Sequence, residues 1–170
     1  MIKPLKKLTM IKKETAQTMV EFAIVFPIIL LITYGIIEFG RMVFMYAAAT
    51  GGAREGARYG ATALNYKNCD GIWKATTRLL FLIPKEDIIV GDIGYDDGPP
   101  TSSSTPPLCS SDHITYVGPK ELTLGDRVVV HIEVSYQPLI GSFLGVTGFT
   151  IVGEDARTIL VDIKMITPYP

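Results

Sequence analysis

The stretch FAIVFPIILLITYGII, residues 22–37, contains no charged side chain, and only Thr33 and Tyr34 carry polar groups. As an α-helix it would extend roughly 24 Å, slightly less than the ~30 Å hydrocarbon core of a bilayer. Apolar residues on both sides, at 19–20 and within 39–46, lengthen the segment. The stretch therefore predicts a membrane-spanning helix and favours an anchored protein.

Basic residues are concentrated before this segment. Five lysines precede it, whereas the basic residues that follow are mixed with glutamates; the five are Lys3, Lys6, Lys7, Lys12 and Lys13. The positive-inside rule then places the N-terminus in the cytoplasm and the C-terminal domain outside. A cleaved secretory signal peptide is disfavoured, because the apolar run is too long and residues 47–61 continue as a helical pattern.

The overall composition excludes several classes of protein. The chain has 170 residues, of which 48% are hydrophobic and 19% charged, and its formal net charge is −1. The hydrophobic fraction is too high for a disordered chain, and the net charge is too close to zero for a nucleic-acid-binding protein. The sequence contains no Walker loop, nucleophile elbow, HExxH or paired CxxC motif. We therefore expect no enzyme, no catalytic residue, no cofactor and no nucleic-acid partner.

Metal binding is also disfavoured. His113 and His131 lie far from the two cysteines, without the ligand spacing of a zinc site. His131 is expected on the wet face of a strand and His113 in a loop. Three aspartates form a weak calcium candidate without EF-hand spacing: Asp92, Asp96 and Asp97. We expect no metal site.

Glu21 and Pro27 are the two unusual residues at the start of the apolar helix. An intramembrane carboxylate is costly unless it is paired and so indicates function, but a glutamate in a first helical turn is also favoured by the helix dipole. The sequence alone leaves both interpretations open. Pro27 removes one backbone hydrogen bond and predicts a kink, which is either passive or lets the helix bend.

Glu38 and Arg41 stand three residues apart at the other end of the apolar helix. This spacing allows the two side chains to pair on one helix face. The alternative is that both reach separately to the lipid headgroups. Beyond them, small residues dominate positions 47–61, so that another helix or the protein's own sheet can approach closely.

The remainder of the chain has the pattern of a small β-rich domain. Helical spacing predicts an amphipathic helix over 71–83, ended by Pro84. Strands are predicted at 87–95, 127–136, 149–152 and 157–163. The alternation of apolar and more polar residues is clearest at 127–136. The expected fold class is α+β, with a long N-terminal hydrophobic helix packed on a small antiparallel sheet. The apolar loop at 137–148 is expected to cover the sheet edge or to touch membrane or a neighbouring subunit.

Cys69 and Cys109 are the two cysteines of the chain. Outside the cytoplasm an even pair indicates a disulfide. It would join the segment after the long helix to the loop rich in Pro, Ser and Thr that precedes Cys109, with a stabilisation of about 3–4 kcal/mol from chain entropy.

The stretch QTMVEFAIVFPIILLITYGIIEFGRMVFMYAAATGGAREGARYGA, residues 17–61, resembles the N-terminal signature of the TadE-like pilin-related family. In that family a basic leader precedes a VEFA-type motif, an apolar helix with proline, an EFGR-type segment and a REGARYGA-type ending. These motifs occur here in the same order and cover about a quarter of the chain. The later residues match the family only in general style.

The resemblance implies processing and assembly. A prepilin peptidase would remove residues 1–16 by cutting between Ala16 and Gln17, although Ala16 stands where many such leaders have glycine. The helix at 17–62 would then begin the mature protein, followed by an extracytoplasmic domain at 63–170. Glu21, as the fifth mature residue, would neutralise the α-amine of Gln17 in a neighbouring subunit.

The resemblance also implies partners and a location. The partners are sibling pilins or further copies, the peptidase, a secretion ATPase with its membrane platform, and membrane lipid. The protein would wait in the inner membrane and then enter a surface filament. The alternatives are a permanently anchored extracytoplasmic binding module and, more remotely, an extracellular hydrolase.

Overall fold

The structure is a computed structural model that describes residues 6–62, 64–96, 107–118, 125–141, 145 and 147–159, without the side chains of residues 6–15 and 90. It contains a long helix α1 (Lys6–Gly60), a short helix α2 (Cys69–Thr77) and strands β1 (Ile88–Asp96), β2 (Arg127–Tyr136) and β3 (Phe149–Thr158). Two 3₁₀ turns, Arg78–Leu80 and Lys85–Asp87, join α2 to β1. This architecture confirms the predicted α+β class.

The chain consists of two compact units, Met1–Arg41 and Met42–Pro170. The first contains the apolar part of α1, and the second contains the end of α1 with all other elements. Helix α1 already begins at Lys6, within the expected leader, and residues 6–16 contain no proline or glycine to end it. It ends at Gly60, two residues before the expected boundary at 62.

The three strands form one antiparallel sheet in the order β1-β2-β3. Central β2 has the predicted bounds, and its residues 128, 130, 132, 134 and 136 are all buried on one face. His131 pairs across the strands with Asp92 of β1 and Glu154 of β3 on the other face. The alternation in β2 therefore separates the core face from a polar outer face.

The core of the second unit lies between α1 and the sheet. Ala49, Ala53 and Ala57 of α1 are fully buried in one cluster with the valines and isoleucine of β2. A Cβ atom on Gly52 would lie 2.6 Å from the Thr76 carbonyl oxygen of α2. The small residues thus pack under the protein's own sheet and against α2. Of the two predicted uses for them, packing under the sheet is confirmed.

The C-terminal half of the secondary structure differs from expectation in two places. The helix predicted at 71–83 is α-helical only to Thr77 and tightens into the 3₁₀ turn before Pro84. The predicted strand at 149–152 is present, but the break between it and the strand predicted at 157–163 is wrong, because β3 runs unbroken from Phe149 to Thr158. Residues 160–163, most of the Pro/Ser/Thr loop with Asp97, and residues 142–144 and 146 of the apolar loop lie outside the described residues.

Candidate functional site: an apolar helix surface and its domain

The apolar part of α1 is exposed on all sides within the described chain. Every side chain from Ala16 to Thr33 is exposed, including large ones such as Phe22 at 63% and Leu31 at 72%. Helix residues 16–60 are long and apolar enough to cross a membrane, with a mean hydropathy of 2.4 in the most apolar window and none of that window buried. A helix that is apolar all round requires lipid or other apolar helices around it.

Gln17 and Glu21 lie one helical turn apart at the start of this surface. The Gln17 side-chain amide nitrogen stands 3.4 Å from Glu21 Oε1. Both side chains are exposed, so the Glu21 carboxylate remains accessible to a second partner. The structure thus brings together the two residues at which sequence reasoning placed cleavage and assembly.

Pro27 lies inside α1, and the helix continues through it. The missing N–H leaves the Ala23 carbonyl without its usual helical donor. Further along, Thr33 donates its hydroxyl proton to the Ile29 carbonyl oxygen at 2.8 Å. This bond satisfies the Thr33 hydroxyl inside the helix, which suits it to an apolar surrounding. The kink at Pro27 stays a prediction.

Glu38 and Arg41 form the ion pair that their spacing allowed. Arg41 donates from Nη1 to Glu38 Oε1 at 3.2 Å, and the Glu38 side chain is only 15% exposed. The pair cancels the two charges where the apolar surface of the first unit ends. A neutralised pair costs less to place near lipid than two separate charges.

A disulfide fastens the second unit near the end of α1. Cys69, the first residue of α2, is bonded to Cys109, which is 40 residues further along the chain. Both residues are buried in the core cluster. Asn68 caps α2 by accepting a hydrogen bond from the Gly71 backbone N–H at 3.0 Å. The predicted disulfide is therefore present and ties α2 to the segment that follows β1.

His131 is held between two carboxylates on the outer face of the sheet. Its Nδ1 lies 3.0 Å from Glu154 Oε2 and its Nε2 lies 3.1 Å from Glu133 Oε1. Partial burial opposes the charged form, but the hydrogen bonds to Glu154 and Glu133 outweigh it and raise the pKa of His131. The expected wet-face position is correct, yet the side chain is 28% exposed and doubly bonded rather than free in solvent.

His113 occupies a different environment. Its ring stacks on Trp73 with a centroid distance of 4.0 Å, and its backbone φ is 58°. Its Nδ1 is buried and has no hydrogen-bond partner within the part of the chain that the structure describes. Burial lowers the pKa of His113 against the attraction of Asp92 and Asp112. His113 and Trp73 line a groove of about 500 Å³ whose other walls are mainly apolar.

The described residues offer no arrangement suited to metal chemistry. No group of three or more His, Cys, Asp or Glu side chains in the described parts of the chain is placed to hold a metal ion. Asp96, one of the three calcium candidates, accepts two hydrogen bonds from the Arg127 guanidinium at 2.5 Å. Its carboxylate is therefore engaged in a bridge between β1 and β2.

A long exposed apolar helix followed by a small disulfide-bonded α+β domain is the arrangement that the structure shows. Residues 16–58 match the family model described as TadE-like protein, which confirms the resemblance seen in the sequence. Over these residues the chain is thus similar to TadE-like proteins, a structural, pilus-related family. No curated protein and no solved structure matches the chain.

Sequence reasoning missed the groove and the exposed residues beside it. Residues 79–83 read LLFLI, and five consecutive apolar residues cannot all face one core. The structure buries Leu80 and Ile83 but leaves Phe81 75% exposed and Leu82 62% exposed. The run of five apolar residues was therefore the sequence pattern that could have indicated these exposed side chains. The stacking of His113 on Trp73 joins residues 40 positions apart, and no sequence pattern indicated it.

Proposed function

We propose that the protein is a structural subunit of a Tad-type, type IV-related surface pilus, held in the inner membrane by α1 and then assembled through it. The observation that carries the proposal is the apolar surface of α1, which no other described part of the chain covers. Lipid covers this surface before assembly and the same helix of neighbouring subunits covers it afterwards. The proposed role is structural, without catalysis.

The TadE-like match over residues 16–58 supports the proposed processing and partners. A prepilin peptidase cuts between Ala16 and Gln17 and frees the Gln17 α-amine. A secretion ATPase with its membrane platform supplies the work of extraction, and sibling pilins or further copies receive the helix. The N-terminus faces the cytoplasm, and the domain that follows α1 lies outside and reaches the cell surface in the filament.

Glu21 pairs with the Gln17 amine of a neighbouring subunit in this proposal. The exposed Glu21 carboxylate lies one turn from Gln17, so the same helix end presents both charges after cleavage. A buried ammonium or carboxylate alone would be costly, whereas the intersubunit pair satisfies both. Glu38 and Arg41, already paired, pass into the helix bundle as a neutral unit.

The test is the assembly of Glu21→Gln in cells that express the full chain. We expect the variant to insert into the membrane as the wild type does, and to be lost from sheared surface filaments by roughly tenfold or more. Glu55→Gln, which removes a carboxylate from the same helix within the second unit, is the matched control and should assemble. N-terminal sequencing of the filaments should begin at Gln17. Normal filament levels for Glu21→Gln would refute its role.

A second candidate function is a permanently anchored extracytoplasmic binding module. The groove of about 500 Å³ beside Trp73 and His113 favours it, because this volume is typical of small-molecule sites. The two functions differ in where the protein is found. An uncleaved chain that stays wholly in the membrane fraction would support the binding module over the pilus subunit.

A further inference from the structure

The contacts between α2 and α1 show which end of the second unit α2 reaches. A Cβ atom on Gly60 would lie 3.0 Å from Ile72 Cδ1, and one on Gly51 would lie 3.1 Å from Leu79 Cδ1. As the residue number rises through α2 and the 3₁₀ turn after it, the contacted α1 number falls, so this segment runs antiparallel to α1. Phe81, two residues beyond Leu79, therefore lies towards the end of the unit at which α1 enters.

Strand β2 runs in the same direction. A Cβ atom on Gly60 would lie 3.1 Å from Val128 Cγ1, and one on Gly52 would lie 3.4 Å from Ile132 Cδ1. The four residues from Ile132 to Tyr136 extend about 13 Å. That length equals about nine helical residues, which places Tyr136 about level with residue 43.

Exposed apolar side chains gather at this end. Ile88 pairs with Val134 and Phe149 with Tyr136, so the start of β1 and the start of β3 also lie there. We call the following residues the entry rim: Phe81 (75% exposed), Leu82 (62%), Ile89 (54%), Leu139 (64%), Ile140 (40%) and Phe149 (47%). They come from four separate segments, and their convergence at one end is a property of the fold rather than of one loop.

Helix α1 is itself apolar and exposed at this end of the second unit. Val43, Phe44 and Tyr46 are 46%, 42% and 57% exposed. The second unit begins at Met42, so these side chains follow the uncharged segment within a few residues along the chain. The headgroup layer of a bilayer is roughly 5–8 Å thick on each side, so side chains that directly follow a membrane segment are near enough to enter it. Aromatic side chains are favoured in that layer.

Charge at the entry rim is mixed. The 3₁₀ turn Lys85–Asp87 carries one basic and two acidic residues. It therefore gives no preference for anionic lipid, and attraction to a bilayer must come from the apolar side chains. Burial of apolar area in the interface is the usual basis for such binding.

We propose that the entry rim lies on the lipid surface and seats the second unit in the bilayer interface before assembly. This inference rests on the membrane-anchored stage of the proposed function. The occupant is the interfacial layer of a zwitterionic bilayer. On assembly the entry rim leaves lipid together with the apolar helix, so the domain is released from the membrane in the same step.

Tryptophan fluorescence of the full chain in phosphatidylcholine vesicles tests the proposal. Phe81→Trp and Leu139→Trp place reporters on two separate segments of the entry rim. Leu64→Trp is the matched control, because Leu64 is 90% exposed and follows the far end of α1 at Gly60. The single native tryptophan, Trp73, is subtracted with the wild-type spectrum.

Bromination of the lipid acyl chains near the headgroup should lower the emission of the two rim reporters by roughly twofold, with a shift to shorter wavelength. The Leu64→Trp emission should stay unchanged. Rim reporters quenched no more than Leu64→Trp, in a chain retained by the vesicles after an alkaline wash, would overturn the entry rim and leave the pilus proposal intact. A wild-type chain released by the wash would overturn membrane anchorage and both proposals.

Discussion

Gly153 of β3 lies directly against the backbone of Ala49 in α1. A Cβ atom on Gly153 would lie 2.5 Å from both the carbonyl carbon and the carbonyl oxygen of Ala49. The opposing atoms belong to a helix backbone and have no rotamer by which to move away. The closest approach between the sheet and the long helix thus depends on a residue without a side chain.

Gly153→Ala should therefore destabilise the second unit by about 1–3 kcal/mol, because the added methyl group forces the sheet away from α1. Urea unfolding of the full chain in detergent, followed by Trp73 fluorescence, measures the change. Gly40→Ala is the control, since no atom outside the local helix lies within 4 Å of its added Cβ. Equal unfolding midpoints for both variants would contradict the close contact.

The Cys69–Cys109 bond should contribute about 4 kcal/mol to the free energy of unfolding, from the chain entropy of the loop that it closes. Reduction should lower the urea midpoint of the wild type accordingly. The Cys69→Ala/Cys109→Ala double variant should already unfold at the lower midpoint and show no response to reductant. Labelling of both thiols in native, non-reduced protein would show that the bond is absent.

His131 should make the unfolding free energy fall on the alkaline side. Its folded pKa is raised above the usual 6.5, since protonated His131 donates to Glu154 and Glu133. This stabilisation is fully present below pH 6.5 and is lost as the pH rises through the folded pKa. Asp92, opposite on β1, adds a third acidic neighbour. In His131→Gln the loss of stability between pH 6.5 and 8 should be smaller; an unchanged pH profile would contradict the bonded imidazolium.

His113 should act in the opposite direction. Burial lowers its folded pKa below the usual 6.5, so the stability it provides is present above pH 6.5 and is lost as the pH falls through the folded pKa. His113→Asn should therefore make the unfolding free energy less sensitive to acid, and asparagine tolerates the positive φ of 58°. Urea midpoints from pH 7 to 4.5 measure the effect. Greater acid sensitivity in the variant would refute the sign.

Strand β2 was predictable because its period-two alternation matches its environment. Val128, Val130 and Ile132 face the core and are fully buried, while His131 and Glu133 lie on the outer face. The position of the membrane helix was predictable for a similar reason, since sixteen consecutive uncharged residues have few other uses in a folded chain.

Strand β3 was not predictable as one element, because Gly153, Glu154 and Asp155 have the composition of a turn. Cross-strand pairing with β2 holds all three extended. In addition, Glu154 bonds to His131 across the sheet, and Gly153 lies against α1. None of these partners is visible to a local pattern. The same holds for the entry rim, whose members become neighbours only when four segments meet.

The close glycine contacts of α1 with α2 and with β3 have a mechanical consequence. At Gly52 and Gly153, backbone atoms rather than flexible side chains form the closest contacts with the packed element. A pulling force along α1 would therefore pass to the sheet and to α2 through nearly rigid main-chain contacts. The domain should follow its helix as a stiff body under tension, with little elastic stretch before the contacts break.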